Sequence, residues 1–163
     1  TRNYENVESE ELQSEELPSV LDGEQISWYD NGKINFTRNF KNGKLDGEQI
    51  SWYKNGKKKS ISNYENGEVD GEQISWYENG QIKLVSYFTN DKPDRKWTVW
   101  YKNGLKKLEG VFKEGIPDGK HLSWYKSGQK KAQFNVKKGI LVGRSIFWDK
   151  DGKIIKNENH LNN

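Results

Sequence analysis

The amino-acid sequence predicts an all-β protein, an elongated single antiparallel β-meander built of six β-hairpin repeats of 24 residues each. Its main support is an octapeptide, Asp-Gly-Glu-Gln-Ile-Ser-Trp-Tyr, that occurs unchanged at residues 22–29, 46–53 and 70–77. Looser copies at 94–101, 118–125 and 142–149 keep the same interval. An Asn-Gly, Ser-Gly or Asp-Gly pair follows each tryptophan of these copies by three residues, and such pairs between alternating segments favour tight hairpins.

The predicted units start near 22, 46, 70, 94, 118 and 142 and together form one repeat domain, residues 20–163. Units of this kind bury their apolar faces only against their neighbours. Residues 1–19 are a separate segment with six glutamates and one arginine, which gives a net charge of −5. Because the whole chain has a net charge of +3, the repeats carry a net charge of about +8. We interpret this segment as an acidic tether or a short helix. An autoinhibitory strip over the basic repeats is the alternative.

Composition favours a thin sheet, because only 31% of residues are apolar and the mean hydropathy is −1.12, whereas aromatic residues reach 13%. The chain has no cysteine, which excludes disulfides, thiolate nucleophiles and cysteine-based metal sites. The two histidines, His121 and His160, lack metal-ligand spacing, and no phosphate-binding loop or nucleophile elbow occurs. We therefore expect no enzyme activity, cofactor or metal.

The register of the first hairpin follows from its apolar residues. A three-residue loop, residues 30–32, pairs Trp28 with Ile34 and Ile26 with Phe36, and so collects the apolar side chains on the tryptophan face. Glycine then occupies the left-handed position of the loop. The second connection, at Asn42-Gly43 and its equivalents, is expected to be longer and to let the sheet bend.

Two aromatic ladders are candidate functional features. The tryptophan ladder is predicted to be structural, with a carbohydrate or peptide platform as the alternative, and comprises Trp28, Trp52, Trp76, Trp100, Trp124 and Trp148. The tyrosine face, which also carries serine and glutamine, is the predicted protein-binding surface, with plain solvent exposure as the alternative. Its candidate residues are Tyr29, Tyr53, Tyr77, Trp97, Tyr101 and Tyr125.

Lysines cluster at residues 57–59, 106–107, 130–131 and 137–138. Lysine at strand edges and turns prevents edge-to-edge aggregation, which is one interpretation of these clusters. A basic surface for anionic lipid or for an acidic partner is the other. Nucleic acid is an unlikely partner, since arginine is scarce and no recognition module occurs.

The Gly-x-x-x-x-Trp-Tyr-x-Asn-Gly-x core, at residues 23–33, 47–57 and 71–81, together with the aromatic and Asn-Gly that follow, resembles the MORN repeat. It is most similar to the bacterial variant of YwqK-family proteins. The resemblance covers residues 22 to about 156, with unit four departing most, since Arg95 replaces glycine. It implies a non-catalytic scaffold with roles in protein association or membrane attachment, and YwqK relatives are described as antitoxins.

Function is accordingly predicted as a scaffold for protein–protein interaction at the cell envelope or outside the cell. An antitoxin or immunity protein that neutralises a secreted toxin is the second prediction, and attachment to an anionic membrane surface is the third. The chain starts with threonine and lacks a run of about 18 apolar residues that could span a membrane. We interpret it as a processed product, exported or at the surface with its leader removed, or cytoplasmic if an antitoxin.

Overall fold

A computed structural model describes residues 21–161, which form a single open sheet of fourteen antiparallel strands. The predicted all-β meander of hairpin repeats is confirmed. The strands are β1 (Gly23–Trp28), β2 (Ile34–Lys41), β3 (Lys44–Leu45), β4 (Gly47–Trp52), β5 (Lys58–Glu65), β6 (Glu68–Trp76), β7 (Ile82–Thr89), β8 (Lys92–Trp100), β9 (Lys106–Lys113), β10 (Ile116–Pro117), β11 (Gly119–Trp124), β12 (Lys130–Lys137), β13 (Ile140–Trp148) and β14 (Ile154–His160). The predicted acidic segment, residues 1–19, lies outside the described residues.

The order of the strands in the sheet follows their order along the chain, without crossovers. Twelve strands form the main path from β1 to β14, while the two-residue strands β3 and β10 pair with β2 and β9 beside it. At about 4.8 Å per strand, the main path is about 55 Å long. Within residues 21–161, β1 and β14 are the two outer strands.

The first turn of each unit has the predicted three-residue loop. The Tyr29 amide donates to the carbonyl of Lys33 at 2.8 Å, and Gly32 has a φ of +78°. Trp28 lies opposite Ile34, as predicted.

A β-bulge directly beyond this turn overturns the rest of the predicted register. Phe36 lies opposite Ser27, and Ile26 lies opposite Thr37, so the prediction that Ile26 pairs with Phe36 was wrong. The same shift recurs in the other hairpins, where Leu84 lies opposite Ser75 and Leu108 opposite Val99. One additional residue in the second strand reverses the side on which later residues point. The apolar residues are therefore divided between two faces, not collected on one.

The second turn is shorter than predicted. Lys41 lies opposite Lys44, so that only Asn42 and Gly43 connect the strands, with φ values of +51° and +77°. Positive φ at both positions is the type I′ conformation that asparagine and glycine adopt readily. The expectation of a longer connection was wrong because the irregular backbone lies a few residues beyond the turn.

That irregularity is a bulge at the Asp-Gly-Glu of the second and third octapeptides, where three residues lie opposite one. In β6, residues 70–72 lie opposite the single residue Asn63, between the pairs Ser62–Gln73 and Tyr64–Val69. The buried Gln73 side chain donates to the carbonyl of Asn63 at 3.2 Å. Gln49 both accepts from the Asn39 amide and donates to the Asn39 carbonyl, at 3.0 and 3.1 Å. The glutamine side chain thus replaces backbone hydrogen bonds that the bulge interrupts.

The interior of this sheet is thin. Among residues 21–161, the buried apolar side chains are Ala132 and Val136, and the buried polar residues are Gln49, Gln73, Ser86, Thr98 and Ser145. With so little apolar core, the repeated hydrogen bonds and cross-strand pairs are the features that hold successive units together.

Candidate functional site

The tyrosines of the octapeptides connect successive units. In each case the phenol donates to the carbonyl of the tryptophan one unit further on, over 2.6–2.8 Å: Tyr29 to Trp52, Tyr53 to Trp76, Tyr77 to Trp100, Tyr101 to Trp124 and Tyr125 to Trp148. Asp149 occupies the tyrosine position of the sixth unit. The predicted binding tyrosines therefore have a structural bond within the chain.

Lysines lie over the rings of the same tyrosines. Their ammonium groups are 5.7–6.0 Å from the ring centroids in five pairs: Lys54–Tyr29, Lys59–Tyr53, Lys83–Tyr77, Lys107–Tyr101 and Lys131–Tyr125. These are cation–π distances. The tyrosines are half-buried, and part of each ring faces a lysine of the same chain. A role for the five tyrosines in partner binding stays a prediction.

Tyr77→Phe is expected to lower the free energy of unfolding by about 0.5–1.5 kcal/mol, because it leaves the Trp100 carbonyl without its 2.8 Å donor. Urea denaturation followed by tryptophan fluorescence measures the change. Tyr64→Phe is the matched control, since other units have phenylalanine at this position, as at Phe40 and Phe88. A loss of stability no larger than that of the control would show that the hydroxyl contributes nothing.

The six tryptophans occupy equivalent register positions. Each lies in the first strand of its hairpin, between the three-residue loop and the bulge. Their partners are Ile34, Lys58, Ile82, Lys106, Lys130 and Ile154. Trp28 is 59% exposed, whereas the other five are half-buried. Lysines cover two of these rings, Lys106 over Trp124 at 5.8 Å and Lys130 over Trp148 at 6.0 Å. The structural role of this ladder and its alternative as a platform both stay predictions.

The opposite face, which carries the octapeptide glutamines and serines, contains an apolar groove of about 450 Å³ in units three and four. We call it the aromatic groove and define it by Leu84, Phe88, Pro93, Trp97 and Phe112. Trp97 packs edge-to-face against Phe112, with ring centroids 5.7 Å apart. Of the predicted binding residues, Trp97 alone is among those that line this groove.

Ser86 is a polar residue in the lining of the aromatic groove. The residue is only 4% exposed, and its hydroxyl has no hydrogen-bond partner within residues 21–161. Most buried polar groups in folded proteins are paired, so this hydroxyl is an exception. Its oxygen is itself buried and is therefore not exposed to the groove.

His121 continues the aromatic cluster into the fifth unit, at the position that glutamine occupies in the first three units. Its ring stacks on Phe134 with centroids 5.4 Å apart and meets the edge of Phe112 at 5.8 Å. Burial lowers the pKa of His121, against the opposing effect of a hydrogen bond with the Val111 backbone. The imidazole is therefore neutral near pH 7. The ring contacts therefore run from Trp97 through Phe112 and His121 to Phe134, across units four and five.

Sequence reasoning found Trp97 but not Ser86, Phe112 or His121. The signal that would have found His121 is the departure from the repeat on both strands, since glutamine positions 97 and 121 are aromatic and Gly110 stands where unit two has Ser62. Ser86 and Phe112 are ordinary repeat residues and carry no such signal. The bulge concealed that these departures lie on a single face.

The phenol of Tyr87, beside the groove, donates to Glu72 at 2.8 Å, and this hydrogen bond raises the pKa of Tyr87.

Several charged groups form pairs at the surface. Lys106, at 2.6 Å, and Lys96, at 3.2 Å, lower the pKa of Glu109, while Lys137 lowers that of Asp118. Such exposed pairs contribute little to stability. Within residues 21–161, no group of three or more histidine, aspartate or glutamate side chains is arranged to hold a metal ion. The same residues contain no helix long and apolar enough to cross a membrane.

Comparison with protein families finds one family model that matches the octapeptide units. Residues 21–42, 45–66 and 69–92 match the family model described as the MORN repeat variant. The three segments are similar to that repeat. They cover less than half of the chain and correspond to the units with an unchanged octapeptide. A comparison with curated proteins finds no match. MORN repeats commonly serve as scaffolds that bind proteins or membranes, which is the general function that the matched segments support.

Proposed function

We propose that this protein is a non-catalytic repeat scaffold that binds another protein through the aromatic groove. The observation that supports it is the departure of unit four from the repeat inside an apolar groove. Trp97 stands where units one to three have glutamine, and it lies beside the apolar residues Leu84 and Phe112. Unit three has Gln73 at this position and forms the same hairpin, so the tryptophan is not needed to form it.

The chemistry of the groove indicates the chemical class of the partner but not its identity. A groove of about 450 Å³ with a mainly apolar lining accommodates one or two apolar side chains. Tryptophan and other large aromatic residues are over-represented among the residues that dominate binding energy at protein interfaces. The repeats also carry a row of exposed lysines, one per unit, at Lys59, Lys83, Lys107 and Lys131. A partner that presents an apolar residue beside acidic ones fits this surface best.

Affinity capture with the whole chain tests the proposal. Trp97→Gln restores the residue that the position has in the first three units, and is expected to weaken binding of a true partner at least tenfold. Trp28→Gln is the matched control, since Trp28 is 59% exposed and lies outside the groove. Proteins retained by the unchanged chain and by Trp28→Gln, but not by Trp97→Gln, are identified by mass spectrometry and titrated by calorimetry.

If every retained protein binds the Trp97→Gln variant as well as the unchanged chain, the groove is not the binding surface and the proposal fails. Thermal unfolding of both variants excludes loss of structure as the cause. A toxin among the proteins that need Trp97 would support the antitoxin prediction. Location at the cell envelope or outside the cell remains part of the proposal and is tested by fractionation of the source cells.

Membrane attachment is the second candidate, favoured by the row of lysines. It predicts sedimentation with vesicles of anionic lipid, weakening as salt rises. Sedimentation that is absent, or equal with neutral vesicles, would exclude it.

A further inference from the structure

We propose that a row of exposed lysines beside the three-residue loops binds an extended acidic peptide with one carboxylate at every third residue. The bound peptide has the polyproline II conformation. The lysine row consists of Lys59, Lys83, Lys107 and Lys131. This second binding surface goes beyond the aromatic groove and does not depend on it.

The bulge after each three-residue loop sets the position of these lysines. In unit two, the residues on either side of Lys59 pair with Trp52 and Ser51, and Lys59 itself is the additional residue without a cross-strand partner. The next three units have lysine at the same place, at Lys83, Lys107 and Lys131. Because one backbone feature positions all four lysines, the row repeats with the period of the hairpins.

Each ammonium group of the row lies over an aromatic ring. The distances to the centroids of the tyrosine rings are 5.7–6.0 Å. This cation–π contact restricts a side chain that is otherwise long and flexible. A bound anion therefore meets ammonium groups that are already ordered, which reduces the entropic cost of binding.

The charge of the lysine row is not neutralised within residues 21–161. None of its four lysines takes part in the ion pairs that these residues form. The loop segments 53–59, 77–83, 101–107 and 125–131 contain eleven lysines and a single acidic residue, Glu78. A surface with this excess of positive charge attracts an anionic partner.

The spacing of the row specifies the conformation of that partner. Equivalent residues of neighbouring units are two strands apart, so at about 4.8 Å per strand the ammonium groups recur about every 9.6 Å. A polyproline II peptide rises about 3.1 Å per residue with three residues per turn, and every third side chain shares one face about 9.3 Å apart. Along the whole row, the accumulated mismatch is about 1 Å.

Other regular peptide conformations fit this spacing less well. In an α-helix, the seventh residue along returns to the same face after about 10.5 Å, and the mismatch grows to about 3 Å along the row. In a β-strand, residues on one face lie about 6.6 Å or 13 Å apart. A polyproline II segment also has no internal hydrogen bonds, so it can follow the twist of the sheet.

The tyrosine rings accommodate the residues between the carboxylates. The four tyrosines beneath the row are half-buried and repeat with the same period: Tyr53, Tyr77, Tyr101 and Tyr125. Aromatic-lined surfaces are common receptors for proline-rich polyproline II segments. Proline at the two positions between carboxylates is therefore expected to favour the bound conformation and to pack against the exposed part of the rings.

Fluorescence anisotropy with two labelled peptides and the whole chain tests the proposal. One peptide contains four Glu-Pro-Pro triplets. The other has the same composition with its glutamates in pairs, as two copies of Glu-Glu-Pro-Pro-Pro-Pro. The triplet peptide is expected to bind at least about fivefold more tightly, because it alone places one carboxylate at each lysine of the row.

Two double variants with the same loss of charge identify the surface. Lys59→Gln with Lys131→Gln is expected to weaken binding of the triplet peptide about tenfold and to reduce its dependence on salt. Lys58→Gln with Lys130→Gln is the matched control, since these neighbouring lysines pair with Trp52 and Trp124 across the strands and leave the row intact. The thermal unfolding midpoints of both variants verify that the fold is retained.

Trp97→Gln separates this surface from the aromatic groove, because it is expected to leave the affinity for the triplet peptide unchanged. A loss of affinity in this variant would place the peptide in the groove and overturn the proposal. Equal binding of the two peptides would also overturn it, since the spacing would then have no effect.

Two further outcomes would contradict the proposal. Equal losses in the two double variants would show a general effect of net charge. Vesicles of anionic lipid provide the last comparison: if the row variant sediments less with them than the control, while neither peptide binds, the lysines serve a membrane surface and not a peptide.

Discussion

Gly110→Ser is expected to destabilise the protein by about 1–3 kcal/mol, the usual cost of additional atoms in a well-packed site. A Cβ atom at position 110 would lie only 2.6 Å from Cε1 of His121, and Gly110 itself is buried. The histidine ring is held between Phe112 and Phe134, so it cannot move away without losing its stacking. Urea denaturation followed by tryptophan fluorescence measures the loss.

The chain offers its own compensating substitution. His121→Gln combined with Gly110→Ser recreates the pair Ser62–Gln73 of the second and third units, which share a cross-strand position in the sheet. The double variant is therefore expected to recover most of the stability that Gly110→Ser loses. A double variant no more stable than the single one, or a single variant as stable as the unchanged chain, would contradict the packing argument.

Gly71→Ala is expected to cost about 1–3 kcal/mol, because the bulge in β6 holds this residue at a φ of +94°. The added methyl would also lie 3.4 Å from Cβ of Asn63, which leaves little space for relaxation. The loss is measured as a fall in the denaturation midpoint at unchanged slope.

Arg95→Gly is the reciprocal variant, since Arg95 has a φ of +62° at the equivalent position of the fourth unit. Removing this backbone strain is expected to raise stability by at most about 1 kcal/mol, partly offset by the lost contact of the guanidinium with the Tyr87 ring at 5.6 Å. If Gly71→Ala were neutral, the positive φ at the bulge would not be the reason for glycine there.

The repeated residues made most of the architecture predictable. A fixed interval together with Asn-Gly turns indicates hairpins in series, and the loop at residues 30–32 followed from pairing Trp28 with Ile34. The second turn was also recognisable, but its length was not. Asn42 and Gly43 form a tight turn by themselves. The interruption of strand pairing, which Gly47 indicates, lies four residues beyond this turn.

The candidate site was less predictable, and the reason is specific. The bulge after each three-residue loop shifts the second strand by one residue, which moved Phe36 and Leu84 to the glutamine face. Trp97 could be selected because it breaks the repeat, whereas Ser86 and Phe112 are ordinary residues until the register places them beside it.

The sequence by itself determined the all-β class, the six units, the three-residue turns and the thin, polar character of the sheet, because these depend on local turn chemistry and on composition. Only the tertiary structure decided which side chains share a face, how each tyrosine reaches the next unit, and where the aromatic groove lies. The physical reason is that hydrogen bonds between strands set the bulges, and one additional residue in a strand is enough to exchange the two faces of a sheet.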